Sequence, residues 1–167
     1  MAVGVKLLSE HASVPEYGTA LSACADIRAC LLHVDRVKAY GVMNGEHLLH
    51  VVDGKIDILP GYRVLVPTGL ALDIPEGYSV RTHPRSGKAT KEGLGLACSE
   101  GVIDEDYQKE LFVPVVNNTI ARIVISHGDR IAQAELVKDE RCQWVVVEEL
   151  TPKDSSREGG FGHTGTT

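Results

Sequence analysis

The sequence predicts an all-β protein, a β-sandwich or barrel. Short apolar runs recur along most of the chain, turn residues separate them, and no long stretch carries the 3.6-residue period of an amphipathic helix. Val3–Leu8 opens the series with apolar residues flanking Lys6. Ala25–Val34 is a run of small and branched residues into which Asp26 and Arg28 are set. Val37–Val42 and His47–Val52 follow, joined across Asn44-Gly45, a pair that favours a type I′ hairpin because both residues tolerate positive φ. Lys55–Ile58, Tyr62–Pro67, Gly69–Ile74 and Tyr78–Thr82 come next, bounded by Asp53-Gly54, Pro60-Gly61 and Pro75-Glu76-Gly77. A helical turn or two is expected over Ser86–Glu92. Leu111–Asn117, Arg122–Ile125, Asp129–Lys138 and Trp144–Glu148 complete the strands, with Asn117-Asn118 as a turn. From Pro152 to Thr167 glycine, serine and threonine dominate, the composition of a mobile tail. The chain therefore divides into a body, 1–152, and a tail, 153–167.

Length and charge narrow the function. At 167 residues, one domain with one real core is expected. A formal net charge of −6 with no long basic run argues against nucleic acid as a partner, because such binding relies on Lys and Arg neutralising phosphates. A small phosphorylated ligand held by a few local donors stays compatible. Cys24, Cys30, Cys98 and Cys142 lack CxxC spacing and read as small buried hydrophobes in a reducing compartment, with neither a zinc site nor a redox pair suggested. His11, His33, His47, His50, His83 and His127 show no metal-ligand spacing either. The N-terminus has no signal-peptide character and the chain no 18-residue apolar stretch, so a cytoplasmic protein without a membrane partner is expected.

Five short segments carry chemistry. In Ala25-Asp26-Ile27-Arg28-Ala29, the acid either pairs with a neighbour such as Arg28 or points into a site, where one carboxylate plus ligand phosphates can hold Mg²⁺. Pro84-Arg85-Ser86-Gly87 offers a guanidinium fork, a hydroxyl and a close backbone approach to phosphate oxygens, although an Arg-containing turn explains an isolated match equally well. Gly101-Val102-Ile103-Asp104-Glu105-Asp106-Tyr107 sets acids beside a tyrosine in a stretch that otherwise reads as strand. Asp104 suits a general base and Tyr107 a platform for a ring-shaped substrate, while the plain alternative is an acidic turn. Gly128-Asp129-Arg130-Ile131-Ala132-Gln133 opens another strand. There Asp129 and Arg130 pair with each other or with acids elsewhere, and Gln133 is a phosphate donor or a backbone partner. In the tail, Phe161 stands among four glycines with Arg157, His163 and Thr164 nearby, which suits either a lid that closes on a ligand or an incidental Phe.

In this order the five segments resemble the motifs of the homotrimeric dUTP diphosphatase (dUTPase) family, from about residue 20 to the end, and Val66-Pro67-Thr68-Gly69-Leu70 also fits. The resemblance implies a jelly-roll-like β fold, a homotrimer with active sites at subunit boundaries, and hydrolysis of dUTP to dUMP and diphosphate with Mg²⁺. It makes Asp104 the general base and Asp26 the acid that contacts hydrated Mg²⁺. It makes Arg85, Ser86, Gly87 and Gln133 phosphate binders, and Tyr107 the ring that packs against deoxyribose. The Gly101–Phe112 hairpin, with Val102 and Ile103, would read uracil through its backbone. Phe161 would stack over uracil as the tail closes, with Arg157, Gly162, His163 and Thr164 meeting phosphates.

The chain also departs from the family pattern. Lys109 replaces a usual Gly, and Cys98 replaces the Asn that many members carry near the base, so any contact there is through backbone. Arg157 lies one position closer to Phe161 than the family's Arg, and Ser156 takes the expected site. Residues 33–54 exceed the usual spacing after the first motif and read as an inserted hairpin that resembles those of phage-encoded members. Such a loop can carry a second, protein-binding function. Other readings remain open: a dCTP deaminase or bifunctional enzyme of the same fold, or a regulatory binding protein. The deaminase pattern needs a Glu three residues before the strand-ending Asn, and Pro114 occupies that place before Asn117.

Overall fold

The computed structural model describes residues 1–153. Its strands are β1 (Gly4–Leu7), β2 (Glu16–Tyr17), β3 (Ala25–Arg28), β4 (Arg36–Tyr40), β5 (Glu46–His50), β6 (Lys55–Ile58), β7 (Arg63–Pro67), β8 (Leu70–Asp73), β9 (Tyr78–Pro84), β10 (Leu94–Leu96), β11 (Gly101–Ile103), β12 (Phe112–Asn117), β13 (Ile123–Ser126) and β14 (Arg130–Lys138). One π-helical turn, Lys88–Glu92, lies between β9 and β10, inside the predicted helical piece. Two five-stranded sheets dominate, ordered β10-β12-β7-β4-β5 and β11-β9-β14-β3-β2, with the pairs β1-β8 and β13-β6 beside them. From β7 onward the chain passes repeatedly between the two large sheets, as in a jelly-roll-like sandwich.

The strand sequences explain the layering. Alternate residues of β4, β7 and β12 turn inward, burying Val37, Ala39, Val64, Val66, Val113 and Val115. The opposite sheet adds Ile27, Val80, Ile103 and Ile131 to the same cluster, and β6 and β13 add Ile56, Ile58, Ile123 and Ile125. Each such side chain contributes roughly 1.5–3 kcal/mol by leaving water.

Several expectations change. The run from Ala25 is a strand only to Arg28. Beyond it, the Ala29 amide donates to the Asp129 carbonyl, that of Cys30 to Pro67, and that of Leu31 to His127 Nδ1, so the backbone is satisfied without a ladder. The 33–54 hairpin exists as β4–β5, but its turn is a five-residue loop, 41–45, and not a type I′ turn. Asn44 takes φ 61° and Gly45 stays outside the left-handed region. This hairpin is also no appendage, because β4 pairs with β7 and buries Val37 and Ala39. Trp144–Glu148 forms no strand among the described residues and lies exposed. β2 and β10, at two and three residues, are too short to give a periodic signal.

Candidate active site

Asp26 is the buried acid of the site, 7% exposed on central strand β3. The antiparallel register sets it opposite Gln133 of β14. Gln133 in turn lies opposite His83 of β9, one strand further along. Arg85, just past the end of β9, donates from Nε to Asp26 Oδ1 at 2.8 Å. Arg130 donates from Nη1 to Oδ2 at 3.0 Å, and Gln133 from Nε2 to Oδ1 at 3.3 Å. Burial by itself would push the Asp26 carboxyl up, but the hydrogen bonds and charges of Arg85 and Arg130 outweigh it and hold the group below its ordinary value. Two cations thus converge on one anion, leaving excess positive charge and unused guanidinium N–H groups suited to phosphate.

Arg28 is not the partner of Asp26: its guanidinium donates to the Gly128 carbonyl at 2.9 Å. Asp129 and Arg130 do not pair with each other either. Asp129 Oδ2 accepts from the Ser126 amide at 3.0 Å and closes the turn before β14, which frees Arg130 to meet Asp26. Arg130 is therefore a site residue that local reading missed, since only the β3–β14 register reveals its partner. Ser86 and Gly87 follow Arg85 directly and lead into the helical turn. Gly87 has ordinary right-handed angles, φ −64° and ψ −43°, and a Cβ there would meet nothing within 4 Å. Neither conformation nor packing calls for glycine at this position.

The second half of the site is a cavity of about 340 Å³, within the range of small-molecule pockets. Cys98, Gly101, Val102, Ile103, Asp104, Tyr107 and Phe112 all line it. Every expected base- and sugar-binding residue of the body is thus in one place, and Thr82 and Glu100 join them. Gly101 is closely packed: its β11 position lies opposite Thr82 of β9, and a Cβ would collide with the Thr82 hydroxyl. Asp104 to Tyr107 forms a turn, with the Tyr107 amide donating to the Asp104 carbonyl at 3.1 Å. The plain turn reading of these acids therefore holds as geometry. Glu105 accepts from the Gly77 amide at 2.7 Å, anchoring the turn, while Asp104 stays exposed at the cavity. The Tyr107 hydroxyl donates to the Glu110 carbonyl at 2.9 Å, which fixes the ring.

The Gly101–Phe112 segment is not a paired hairpin. β11 joins β9 in one sheet and β12 joins β7 and β10 in the other, so the segment bridges the two layers. One consequence matters for binding. β11 is an edge strand whose outer backbone groups are free of a ladder. Asp26, Arg85 and Gln133 are not among the residues lining this cavity, although Thr82, which is, lies on the strand β9 that leads to Arg85. Arg157, Phe161, Gly162, His163 and Thr164 lie outside the described residues.

Comparison with known proteins gives this geometry a context. A family model described as dUTPase matches residues 50–165. A deoxyuridine 5′-triphosphate nucleotidohydrolase from Desulfotalea psychrophila is 40% identical over 157 residues, covering 94% of this chain and 90% of that protein. One from Finegoldia magna is 43% identical over 122 residues, covering 73% and 85%. Among solved structures, a mutant dUTPase of Staphylococcus bacteriophage 80alpha with dUpNHpp superposes with a TM-score of 0.75 at 24% identity, covering 98% of each chain. The dUTPase from phage phi11 of S. aureus gives 0.70 at 23% identity, covering 90% and 98%. The structural likenesses speak for the fold.

Proposed function

The chain belongs to the dUTPase family, and from that premise we propose that it hydrolyses dUTP to dUMP and diphosphate, with Asp104 as general base. The observation that carries this reading is the cavity, where an exposed carboxylate, a fixed tyrosine ring and the open edge of a strand meet. Uracil presents an imide edge of alternating acceptor, donor and acceptor, and the outer edge of Gly101–Ile103 offers backbone groups of the same kind. The close pairing of Gly101 with Thr82 in the β11–β9 ladder holds that edge in place. Rigidity is required, because a thymine methyl in a merely apolar pocket changes binding by only about 1–3 kcal/mol. Tyr107 packs under deoxyribose and disfavours a 2′-hydroxyl.

In the reaction Asp104 takes a proton from a water as its oxygen bonds to the α-phosphorus. The bond from that phosphorus to the bridging oxygen breaks, diphosphate leaves, and the proton later passes from Asp104 to solvent. Arg85, Ser86, Gly87 and Gln133 hold the phosphates. Arg130 contributes by sharing Asp26 with Arg85. The closing tail, through Phe161 and Arg157, Gly162, His163 and Thr164, covers the site.

Mg²⁺ fits this arrangement through water. The Asp26 carboxylate already accepts three hydrogen bonds, leaving about one lone-pair direction of roughly four, enough for a water on the ion and too little for a direct cage. Asp26 would hold the ion through one of its waters, and the ion would supply charge neutralisation at the phosphates.

Two features support the homotrimer. The cation cluster does not line the base cavity of the same chain, and in a homotrimer a second copy would bring its own cluster to that cavity. The 140–150 arm also leaves Trp144 92% and Val146 99% exposed, with Val145, Val147 and Leu150 beside them, an apolar face that calls for a neighbouring chain. Val42, Met43 and Leu48, exposed on the β4–β5 hairpin, favour a further protein partner at residues 33–54. Among the described residues no helix is long and apolar enough to cross a membrane. The free cysteines Cys24, Cys30, Cys98 and Cys142 favour a reducing, cytoplasmic setting. A dCTP deaminase is disfavoured because Pro114 lines the cavity where an acid is required.

The test is diphosphate release from dUTP, dTTP, UTP and dCTP, with and without EDTA, together with ammonia release from dCTP. Turnover of dUTP alone, lost in EDTA, is expected; ammonia from dCTP, or equal turnover of dTTP, contradicts the reading.

A further inference from the structure

One cluster on the same sheet takes no part in the proposed hydrolysis. Cys24 immediately precedes β3, His83 lies on β9 and Glu135 on β14, three neighbouring strands of one sheet. One ligand atom from each falls within 4.8 Å of the others, and all three residues are half-buried. Residues two apart on a strand share a face, so Cys24 sits beside Asp26 and Glu135 beside Gln133. Widely spaced in sequence, the three converge only because β14 pairs with β9 and β3 together.

The donor set has a defined chemistry. A thiol, an imidazole and a carboxylate suit a borderline ion such as Zn²⁺ or Co²⁺, whereas a lone carboxylate such as Asp26 suits the hard Mg²⁺. Three protein ligands also match the open, four-coordinate type of zinc site, with one position left for water or an incoming group. The imidazole is already oriented for this. His83 Nε2 lies 3.1 Å from Glu135 Oε2, and its Nδ1 lies 3.6 Å from Glu100 Oε1. On binding an ion at Nε2 the hydrogen bond to Glu135 would be exchanged for coordination, and Glu100, near Nδ1, would be the carboxylate placed to accept from the other ring nitrogen, the arrangement seen behind metal-bound histidines. Arg81, opposite Glu135 in the ladder, engages Asp139 at 3.4 Å instead.

We propose that Cys24, His83 and Glu135 form a binding site for a zinc-class divalent cation, oriented by Glu100 and distinct from the magnesium-dependent phosphate site. Burial, and then the Glu135 carboxylate, push the Cys24 thiol above its ordinary value, so the ion must displace the thiol proton to solvent. Glu100 also lines the base cavity, so the site borders the nucleotide's own.

The test is titration of the full-length, metal-stripped protein with Co²⁺, followed by absorption. Cobalt bound through sulfur gives a thiolate-to-metal charge-transfer band in the near ultraviolet and d–d bands of tetrahedral intensity. Both are expected in the natural protein and in Asp104→Asn. Cys24→Ser removes the charge-transfer band, and its affinity falls by more than about tenfold; Glu135→Gln weakens binding while keeping the band. Glu100→Gln is expected to weaken binding by about tenfold, the lower end of the effect of losing an outer-shell partner. Cys98→Ser and Cys142→Ser keep the natural spectrum. The far-ultraviolet circular dichroism of each variant verifies that it folds. A charge-transfer band that survives in Cys24→Ser, that disappears instead in Cys98→Ser or Cys142→Ser, or that never forms in the natural protein overturns the proposal.

Discussion

At the level of single residues, Asp26 governs the phosphate side of the site. Its carboxylate is the only acid between Arg85 and Arg130 in the hydrogen bonds of the described residues, so Asp26→Asn leaves two guanidiniums facing each other. Breaking a fully buried pair costs about 3–5 kcal/mol, and the partial exposure of Arg130 lowers the expected loss to roughly 2 kcal/mol. Chemical denaturation of the variant measures it. The sign of the pH dependence follows from the lowered folded pKa. The Asp26 contribution is complete above the ordinary value of 3.8 and disappears as pH falls below it toward the lower folded value, because the unfolded chain takes up the proton first. The loss of stability should therefore set in as pH falls through about 3.8 and continue below it, and Asp26→Asn should flatten that part of the curve. Much of this was legible in the chain: Asp26 amid small apolar residues suggested an acid in a site, and Arg85 and Gln133 suggested donors. Arg130 was not, because an adjacent Asp129 is an equally good local partner until the turn at Ser126 claims it.

At the level of elements, β11 determines what the cavity can read. Gly101→Ala drives a methyl into the Thr82 hydroxyl and separates the edge strand from β9. Overpacking of this kind costs about 1–3 kcal/mol, and dUTP affinity should fall with it. The Thr82 Cβ lies 3.6 Å from the new methyl, an ordinary contact, so adding Thr82→Ala should restore much of both. Thermal melts and nucleotide titration of the single and double variants check this. The hairpin β4–β5 makes a different prediction from that of a dispensable insertion. Val37→Ala should destabilise the protein by about 2 kcal/mol, because β4 contributes core. Exchange of the 41–45 tip for a polar loop should leave turnover unchanged and abolish capture of any protein partner that the hairpin holds. Strand positions followed well from alternation and turn residues, β6, β12, β13 and β14 especially. The assignment of β11 and β12 to different sheets did not, because nearness in sequence suggests a hairpin and only the long-range pairings of β9 and β7 overrule it. Trp144–Glu148 reads as strand by composition alone, and composition cannot say whether a partner strand is available.

For the whole molecule, the proposed homotrimer makes assembly part of the chemistry, with one copy's cavity meeting another's cation cluster. Sedimentation should give a species of three 18.0-kDa chains, and truncation before Trp144 should return smaller species without turnover. Truncation after Lys153 should keep the fold, because the buried cluster of the described residues runs from Ile27 to Ala132, and lose turnover through the missing tail. Each of the five segments alone allowed a plain structural reading, and only their order, through its resemblance to the dUTPase motifs, implied the reaction. Which of them line one cavity was not legible, since spacing along a sequence carries no distances. The central claim is that Asp104 activates the attacking water. It is tested most directly by measuring diphosphate release and dUTP affinity together in Asp104→Asn. Turnover lower by about 10²–10⁴-fold with affinity retained is the expected result, and an Asn variant that turns over at the natural rate contradicts it.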